Sequence, residues 1–340
     1  MIKKILLSLL LMAIILAIIY HKMIGYGLGQ ARGQLKIIRD ARPVEEVLGD
    51  REVADSIKQK INIIIEVRKY AIDSIGLVNS DNYTTFYDQQ GKTILWNLSA
   101  CEPYNFTPKT WSFPLLGSFP YKGFFDLEKV KAERDELKNQ DYDTRIRSVG
   151  GWSTLGWFSD PILSNMLERE EGRLADLIIH ELTHSTLFVK DNIQFNENLA
   201  SFIGQKGALK FLESKYGKNS PEVERYQNEN SDGVRFTRQM LHSAALLDSL
   251  YFTFDETIPD SIKAVQKHIL IDEITRAIDT IQFYNDRYHR IFSNGRPNNA
   301  YFMSFLRYHS DEDSLNAMLQ AEYNNSLSDF IRGMKSHHED

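Results

Sequence analysis

The residues with the clearest chemical potential are two histidines and a glutamate in the segment HELTH, His180 to His184. Histidines four positions apart on a helix lie on one face, one turn above the other, so both imidazoles can reach a single ion. Zn2+ suits such a pair, because it takes neutral imidazole nitrogens and, in catalytic sites, three protein ligands with one position left open. The ion lowers the pKa of a water in that position to about 7 and polarises a carbonyl. Glu181 lies about 100° round the helix from His180, close enough to reach that water without occupying the metal. It would take the water's proton and pass it to a departing amine. The chemistry expected is hydrolysis of a peptide bond with one catalytic Zn2+ and Glu181 as general base.

A third ligand has to come from outside the motif. Glu197, in the segment FNENLASFIG from Phe195, is the leading candidate, because Leu199, Phe202, Ile203, Leu209 and Leu212 give that stretch a buried helical face. A turn near Asp191 and Asn192 would fold it back on the first helix. Asp191 is the main rival ligand, with downstream acids behind it, and Glu197 could instead serve the first turn of its own helix, where a carboxylate is favourable. The donor for a tetrahedral oxyanion is sought among Tyr301, Tyr308, His309 and His289, with Tyr308 preferred. Most of the 16 tyrosines must be packing residues. His242, His268 and His289 read as surface or satisfied core residues, and His337 and His338 as part of a frayed tail.

The elements that must hold these groups follow from periodicity. The HELTH helix is expected from about Arg173 to Phe188, with Leu174, Leu177, Ile178, Leu182 and Phe188 as its apolar face. Upstream, residues 29–75 read as helical, with a break at Pro43 and an end at Gly76. Between about Thr84 and Trp157 short β-type runs appear, Thr93–Trp96, Trp111–Leu116 and Thr144–Val149, interrupted by one helix from Leu127 to Leu137. Residues 150–158 could form an edge strand that pairs with an extended peptide, or a plain core strand and turn. The remainder is helical. The fold class expected is α+β, mostly helical, with a small sheet beside the active-site helix and one apolar segment at the N-terminus.

That N-terminal segment is an apolar run from Ile5 to Tyr20, preceded by Lys3 and Lys4. It is short for a span, but Met23 and Ile24 could extend it to about 20 residues. The expectation is a signal-anchor or transmembrane segment over residues 1–24, followed by a single metallopeptidase ectodomain over 25–335. The lysines would place that ectodomain outside the cytoplasm, in a bacterial cell envelope. Across 340 residues, 42% hydrophobic and 25% charged side chains are ordinary for a globular chain. The net charge of −6 supplies no basic field for nucleic acid, so the partners expected are a peptide or protein substrate and a membrane. One cysteine, Cys101, excludes an intrachain disulfide and a cysteine-based metal site.

The wording around these residues resembles the predicted bacterial aminopeptidase family, a group of HExxH metallopeptidases. The resemblance runs through GYGLGQARGQL from Gly25, WNLSACEPY from Trp96, TWSFPLLGSFPYKGFF from Thr110 and GGWSTLGWFSDPILSNML from Gly150. It continues through LIIHELTHSTLFV from Leu177, FNENLASFIG from Phe195 and NNAYF from Asn298. It implies a gluzincin-like fold, His180, His184 and Glu197 as zinc ligands, and Glu181 as catalytic base. The chain departs from many relatives at its N-terminus, where they carry a lipoprotein-type cysteine and this chain carries the apolar segment. No Gly-x-Met-Glu-Asn block of the kind seen in some gluzincin aminopeptidases is present. Endopeptidase action, and a non-catalytic envelope scaffold with a structural zinc, are the rival readings.

Overall fold

The computed structural model describes residues 2–113, 117–149, 159–190, 192–293, 295–308 and 312–338. The chain opens with helices α1 (Ile2–Ile19) and α2 (His21–Asp40), then a short strand β1 (Arg42–Pro43) and helices α3 (Val44–Gly49) and α4 (Asp55–Tyr70). Strands β2 (Thr85–Tyr87), β3 (Trp96–Cys101), β4 (Trp111–Phe113), β5 (Gly117–Phe119) and β6 (Lys122–Phe124) follow. Helix α5 (Leu127–Lys138) then leads to β7 (Asp143–Ser148) and β8 (Ile162–Leu163). The rest is helical: α6 (Glu171–Thr186), α7 (Ile193–Tyr216), α8 (Pro221–Phe252), α9 (Asp260–Ile278), α10 (Asn299–Tyr308), α11 (Glu312–Tyr323) and α12 (Leu327–His338). Among the described residues the class is therefore the mostly helical α+β expected.

The strands form small separate sheets, ordered β1-β2-β8, β6-β3-β7 and β4-β5. β3 lies later than expected, at Trp96–Cys101 rather than Thr93–Trp96. Thr93 is exposed beside the Gln89–Lys92 turn, whereas Leu98, Ala100 and Cys101 are buried. Trp111–Phe113 forms β4, but residues 114–116 lie outside the described residues, as do 150–158, the segment that reads as either a peptide-pairing edge strand or a plain core strand and turn. α4 follows its sequence pattern, burying Ile61, Ile64 and Val67 at helical spacing. It runs into a π-turn at Ala71–Ile75 and stops at Gly76, whose φ of 84° is the left-handed conformation that glycine adopts without strain.

α4, α6, α7, α11 and α12 share the largest core, which contains Ile64, Ile178, Ile179, Phe202 and Phe330. A second core gathers Phe236, Met240, Leu247, Ile271 and Phe302 from α8, α9 and α10. A third packs Leu98 and Phe124 of the β6-β3-β7 sheet on Val130 and Leu137 of α5. The α10 end is tied to that sheet by polar groups. The Asn299 backbone N–H donates to Asp143 Oδ2 at 2.8 Å, Lys267 Nζ donates to the same oxygen at 2.5 Å, and Asn298 Nδ2 donates to the Thr144 carbonyl at 2.9 Å. The NNAYF block is thus a structural fastening. α2 docks on the sheet through Tyr26 and Gln30, which both donate to the Gly123 carbonyl.

The N-terminal expectation needs correction. α1 has 18 residues, about 27 Å of helix against a hydrocarbon core of about 30 Å. Among the described residues no helix is long and apolar enough to cross a membrane. α1 breaks at Tyr20, and α2 turns to polar residues that serve the sheet, so Met23 and Ile24 do not prolong an apolar span. Ile5, Leu6, Leu7, Leu10, Leu11, Met12, Ile15 and Ile18 of α1 are nonetheless exposed.

Candidate metal centre

α6 begins at Glu171 and ends at Thr186, two residues earlier at each end than its periodicity suggests. Its end is set by hydroxyls and by a neighbouring segment. Thr186 Oγ1 donates to the Leu182 carbonyl at 2.8 Å and accepts from the Val78 N–H at 3.0 Å, and Asn82 Nδ2 donates to Ser185 Oγ. The chain then turns extended at Leu187, leaving Phe188 beyond the helix and exposed. Leu174, Ala175, Ile178, Ile179 and Leu182 are fully buried, which fixes the rotation of α6 and turns His180, Glu181 and His184 toward a cleft.

α7 returns beside α6. Its N-cap is Asn192, whose side chain accepts from the Phe195 N–H, so Glu197 stands beyond the first turn and is not a capping group. Asn196 closes the connecting loop on both sides, accepting from the Val189 N–H and donating to the Val189 carbonyl at 2.8 Å each. This places the next residue, Glu197, opposite the histidines. Asp191 lies outside the described residues.

Two glycines allow the helices to come this close. A Cβ on Gly204 would stand 2.6 Å from Asp176 Oδ1, 2.9 Å from the Asp176 backbone oxygen and 3.2 Å from His180 Cβ; one on Gly207 would meet Ile75 and Ile179 at 2.8 and 3.0 Å. Gly204→Ala gains about 1 kcal/mol of helix propensity, but the backbone contact cannot be relieved without moving α7 off α6. We expect a net destabilisation of about 1–3 kcal/mol, read by thermal melting. A variant as stable as wild type would show that the helix spacing is not critical.

His180 Nε2 and His184 Nε2 are 3.2 Å apart, and Glu197 offers Oε2 at 3.6 Å from the first and Oε1 at 3.8 Å from the second. Among the described residues this is the group of histidine, cysteine, aspartate and glutamate side chains placed to hold a metal ion, with donor atoms within 4.8 Å of one another. Ligand atoms about 2.05 Å from a tetrahedral Zn2+ are separated by about 3.3 Å. The observed separations are close to that edge, and the His2Glu donor set is one that Zn2+ takes in catalytic sites. Two imidazole nitrogens facing each other at 3.2 Å also need a proton or a cation between them. The residues fit the ion.

The electrostatics agree with shared use of this space. Burial opposes a charge on His180, but Glu197, Glu181 and Asp176 outweigh it and raise its pKa to about 9. Burial and the neighbouring His180 push His184 down, to about 4. Burial likewise opposes the Glu197 charge, yet both histidines and Arg147 hold its carboxyl below the usual range. Glu181 moves the other way: burial, with Glu197 and Asp160 nearby, lifts it to about 7 against the pull of His180 and Arg169. A carboxylate poised near neutrality is suited to accept and return a proton.

The cleft holds about 1280 Å3 and runs between α6 and α7 on one side and the β6-β3-β7 sheet on the other. His180, Glu181, His184 and Glu197 all line it, and Arg147 of β7 faces them. Of the oxyanion candidates, Tyr308 closes α10 but its side chain lies outside the described residues, as does His309. Tyr301 is taken by the second core, edge-to-face with Phe292 and with the Arg145 guanidinium over its ring, and His289 sits 3.9 Å from Asp279; neither lines the cleft. His242, His268 and His337 are exposed. Cys101 is buried, its thiol raised to about 12 by burial. Sequence reasoning missed Asp176, one turn before His180, which accepts from Tyr226 and pairs with Arg173 at 3.4 Å. Its position four residues before His180, on the same helix face, was the available signal. Reasoning from sequence also missed Arg169, which no spacing links to the motif.

No curated protein and no solved structure matches the chain. One family model does, described as "Putative aminopeptidase", and it matches residues 25–339, which include α6, α7 and every residue of the cleft. With nearly its whole length covered, the chain belongs to that aminopeptidase family.

Proposed function

We propose that the chain is a zinc-dependent peptidase of gluzincin-like design, acting as an aminopeptidase. The observation that carries this reading is the close triangle of His180, His184 and Glu197 with Glu181 beside it on the wall of one cleft. The three ligands would hold one Zn2+, which when bound supplies Lewis acidity toward the scissile carbonyl and acidifies the attacking water. Glu181 takes the proton of that water and returns it to the nitrogen of the leaving amine. Aminopeptidase action is the reading that the family description supports, and residues 25–335 are read as one catalytic unit. The lysine-preceded apolar N-terminus, with its exposed apolar side chains, supports a location at the cell envelope. There α1 would meet lipid through its exposed side chains without spanning it.

The test is metal analysis of the purified chain, followed by digestion of paired peptides with free and acetylated N-termini. About one zinc per chain and cleavage confined to free N-termini is the expected result. Equal cleavage of blocked peptides would replace aminopeptidase with endopeptidase action. Full zinc with no cleavage would favour a structural metal, and absence of zinc binding would remove the metal from the proposal.

A further inference from the structure

The cleft holds a cationic group that the hydrolytic chemistry does not use. Arg169 lies between the short 3-10 turn Ser164–Glu168 and α6, and it lines the cleft together with Glu181. Its guanidinium has five N–H donors, and one hydrogen bond is seen, from Nη1 to the Asn165 carbonyl at 3.1 Å. Among the described residues no carboxylate forms an ion pair with it. The acidic groups whose charge acts on it are Glu168, which is exposed, and Glu181. The other cleft arginines differ. Arg173 is committed to Asp176 and Glu229, and Arg147 has partners of its own.

Arg169 is also held on a stiff base. The Gln89 N–H donates to Ser164 Oγ at 2.9 Å, the Asn165 N–H donates to Gln89 Oε1 at 3.1 Å, and Lys60 Nζ donates to the Arg169 carbonyl at 2.5 Å. The preceding strand, β8, is paired in parallel with β2. Partial burial lowers the guanidinium's pKa, a desolvation that a fully paired ion would have offset. An arginine remains charged regardless, and its planar fork matches a carboxylate in bidentate geometry.

We propose that Arg169 is the anchor for a substrate carboxylate, so that the peptides processed in this cleft present either a free C-terminus or an acidic side chain to it. The inference rests on the zinc-peptidase reading, which supplies the scissile bond beside Glu181. It adds a specificity-determining contact on the part of the cleft wall where the Ser164–Glu168 turn leads into α6. A C-terminal carboxylate would limit substrates to short peptides, whereas an acidic side chain would not.

The experiment compares wild type, Arg169→Gln and Arg169→Lys, each checked for zinc content and melting temperature, on matched peptides. One pair differs by C-terminal amidation, the other by an aspartate replaced with asparagine. In the wild type one of the two neutralisations should lower kcat/KM by about 10- to 100-fold, chiefly through KM, and which one does so identifies the source of the carboxylate. In Arg169→Gln the ratio between charged and neutral peptides should collapse toward one, and Arg169→Lys should keep part of it. A wild type indifferent to both changes, or an Arg169→Gln enzyme that keeps the preference, overturns the proposal. If no peptide is cleaved, the peptidase reading fails, and the anchor is judged by equilibrium binding of the same peptides. Tighter binding of the carboxylate form that needs Arg169 then supports it, and equal binding overturns it.

Discussion

Glu181→Gln should lower kcat by about 10^2- to 10^4-fold while leaving zinc content and melting temperature unchanged. The amide is nearly the same size and occupies the same half-buried place on α6, so the cleft keeps its shape. Glu181 is not one of the metal-holding group, so the His180, His184 and Glu197 donors remain intact. What disappears is a group that can hold a proton between water and leaving amine. The pH profile separates this from a general loss of structure. Burial raises the Glu181 carboxyl to about 7 in the metal-free chain, and a cation held by its neighbours can only lower it. The acidic limb of wild-type kcat/KM should therefore lie at or below about pH 7 and be missing from whatever activity the glutamine variant retains. A variant keeping more than about a tenth of wild-type kcat would remove Glu181 from the role of base.

The part of this site legible in the sequence is the part written in helical period. His180 and His184 are four apart on an apolar-faced helix, and the fully buried Ile178, Ile179 and Leu182 turn them to the cleft as the pattern requires. Glu197 was legible for the same reason, since Leu199, Phe202 and Ile203 are buried on the face away from the site. The rest depends on contacts that have no period. β1, β2 and β8 are two or three residues long, too short for alternation to be read, and it is their pairing, with the Gln89 hydrogen bonds, that sets the 164–169 segment and Arg169 at the start of α6. The close approach of α7 rests on Gly204 and Gly207, which in sequence look like two weak spots in a helix. Tyr83 is another such case: buried, at a φ of 64°, with its hydroxyl unpartnered near Glu181 and Asp160, it gives no sign in sequence of any of this. At the N-terminus the apolar run was plain, but the break at Tyr20 that limits its length was not.

His184→Ala should abolish specific zinc binding, weakening affinity by more than about 100-fold, since even removing a partner of a ligand commonly costs 10- to 100-fold. His184 is the most buried member of the site and stands 3.2 Å from His180, so its loss leaves a two-ligand site beside a hole that water can enter. A bound ion stabilises only the folded chain, by about 2.7 kcal/mol at a free concentration 100 times Kd. The wild type should therefore melt higher with zinc than with chelator, and the variant should not. An alanine at the exposed His268 is the control and should behave as wild type. The effect has a definite pH sign. In the metal-free chain His180 is raised to about 9, above the ordinary 6.5, so its proton stabilises that form fully below pH 6.5, and the stabilisation is lost as pH rises through 9. His184, held at about 4, is neutral throughout this window and contributes nothing to the change. Zinc must displace the His180 proton, so log affinity should climb by about one per pH unit up to about 9, and the zinc-dependent rise in Tm should grow with it. Zinc affinity that is flat from pH 6 to 8, or unaffected by His184→Ala, would place the ion somewhere other than between α6 and α7.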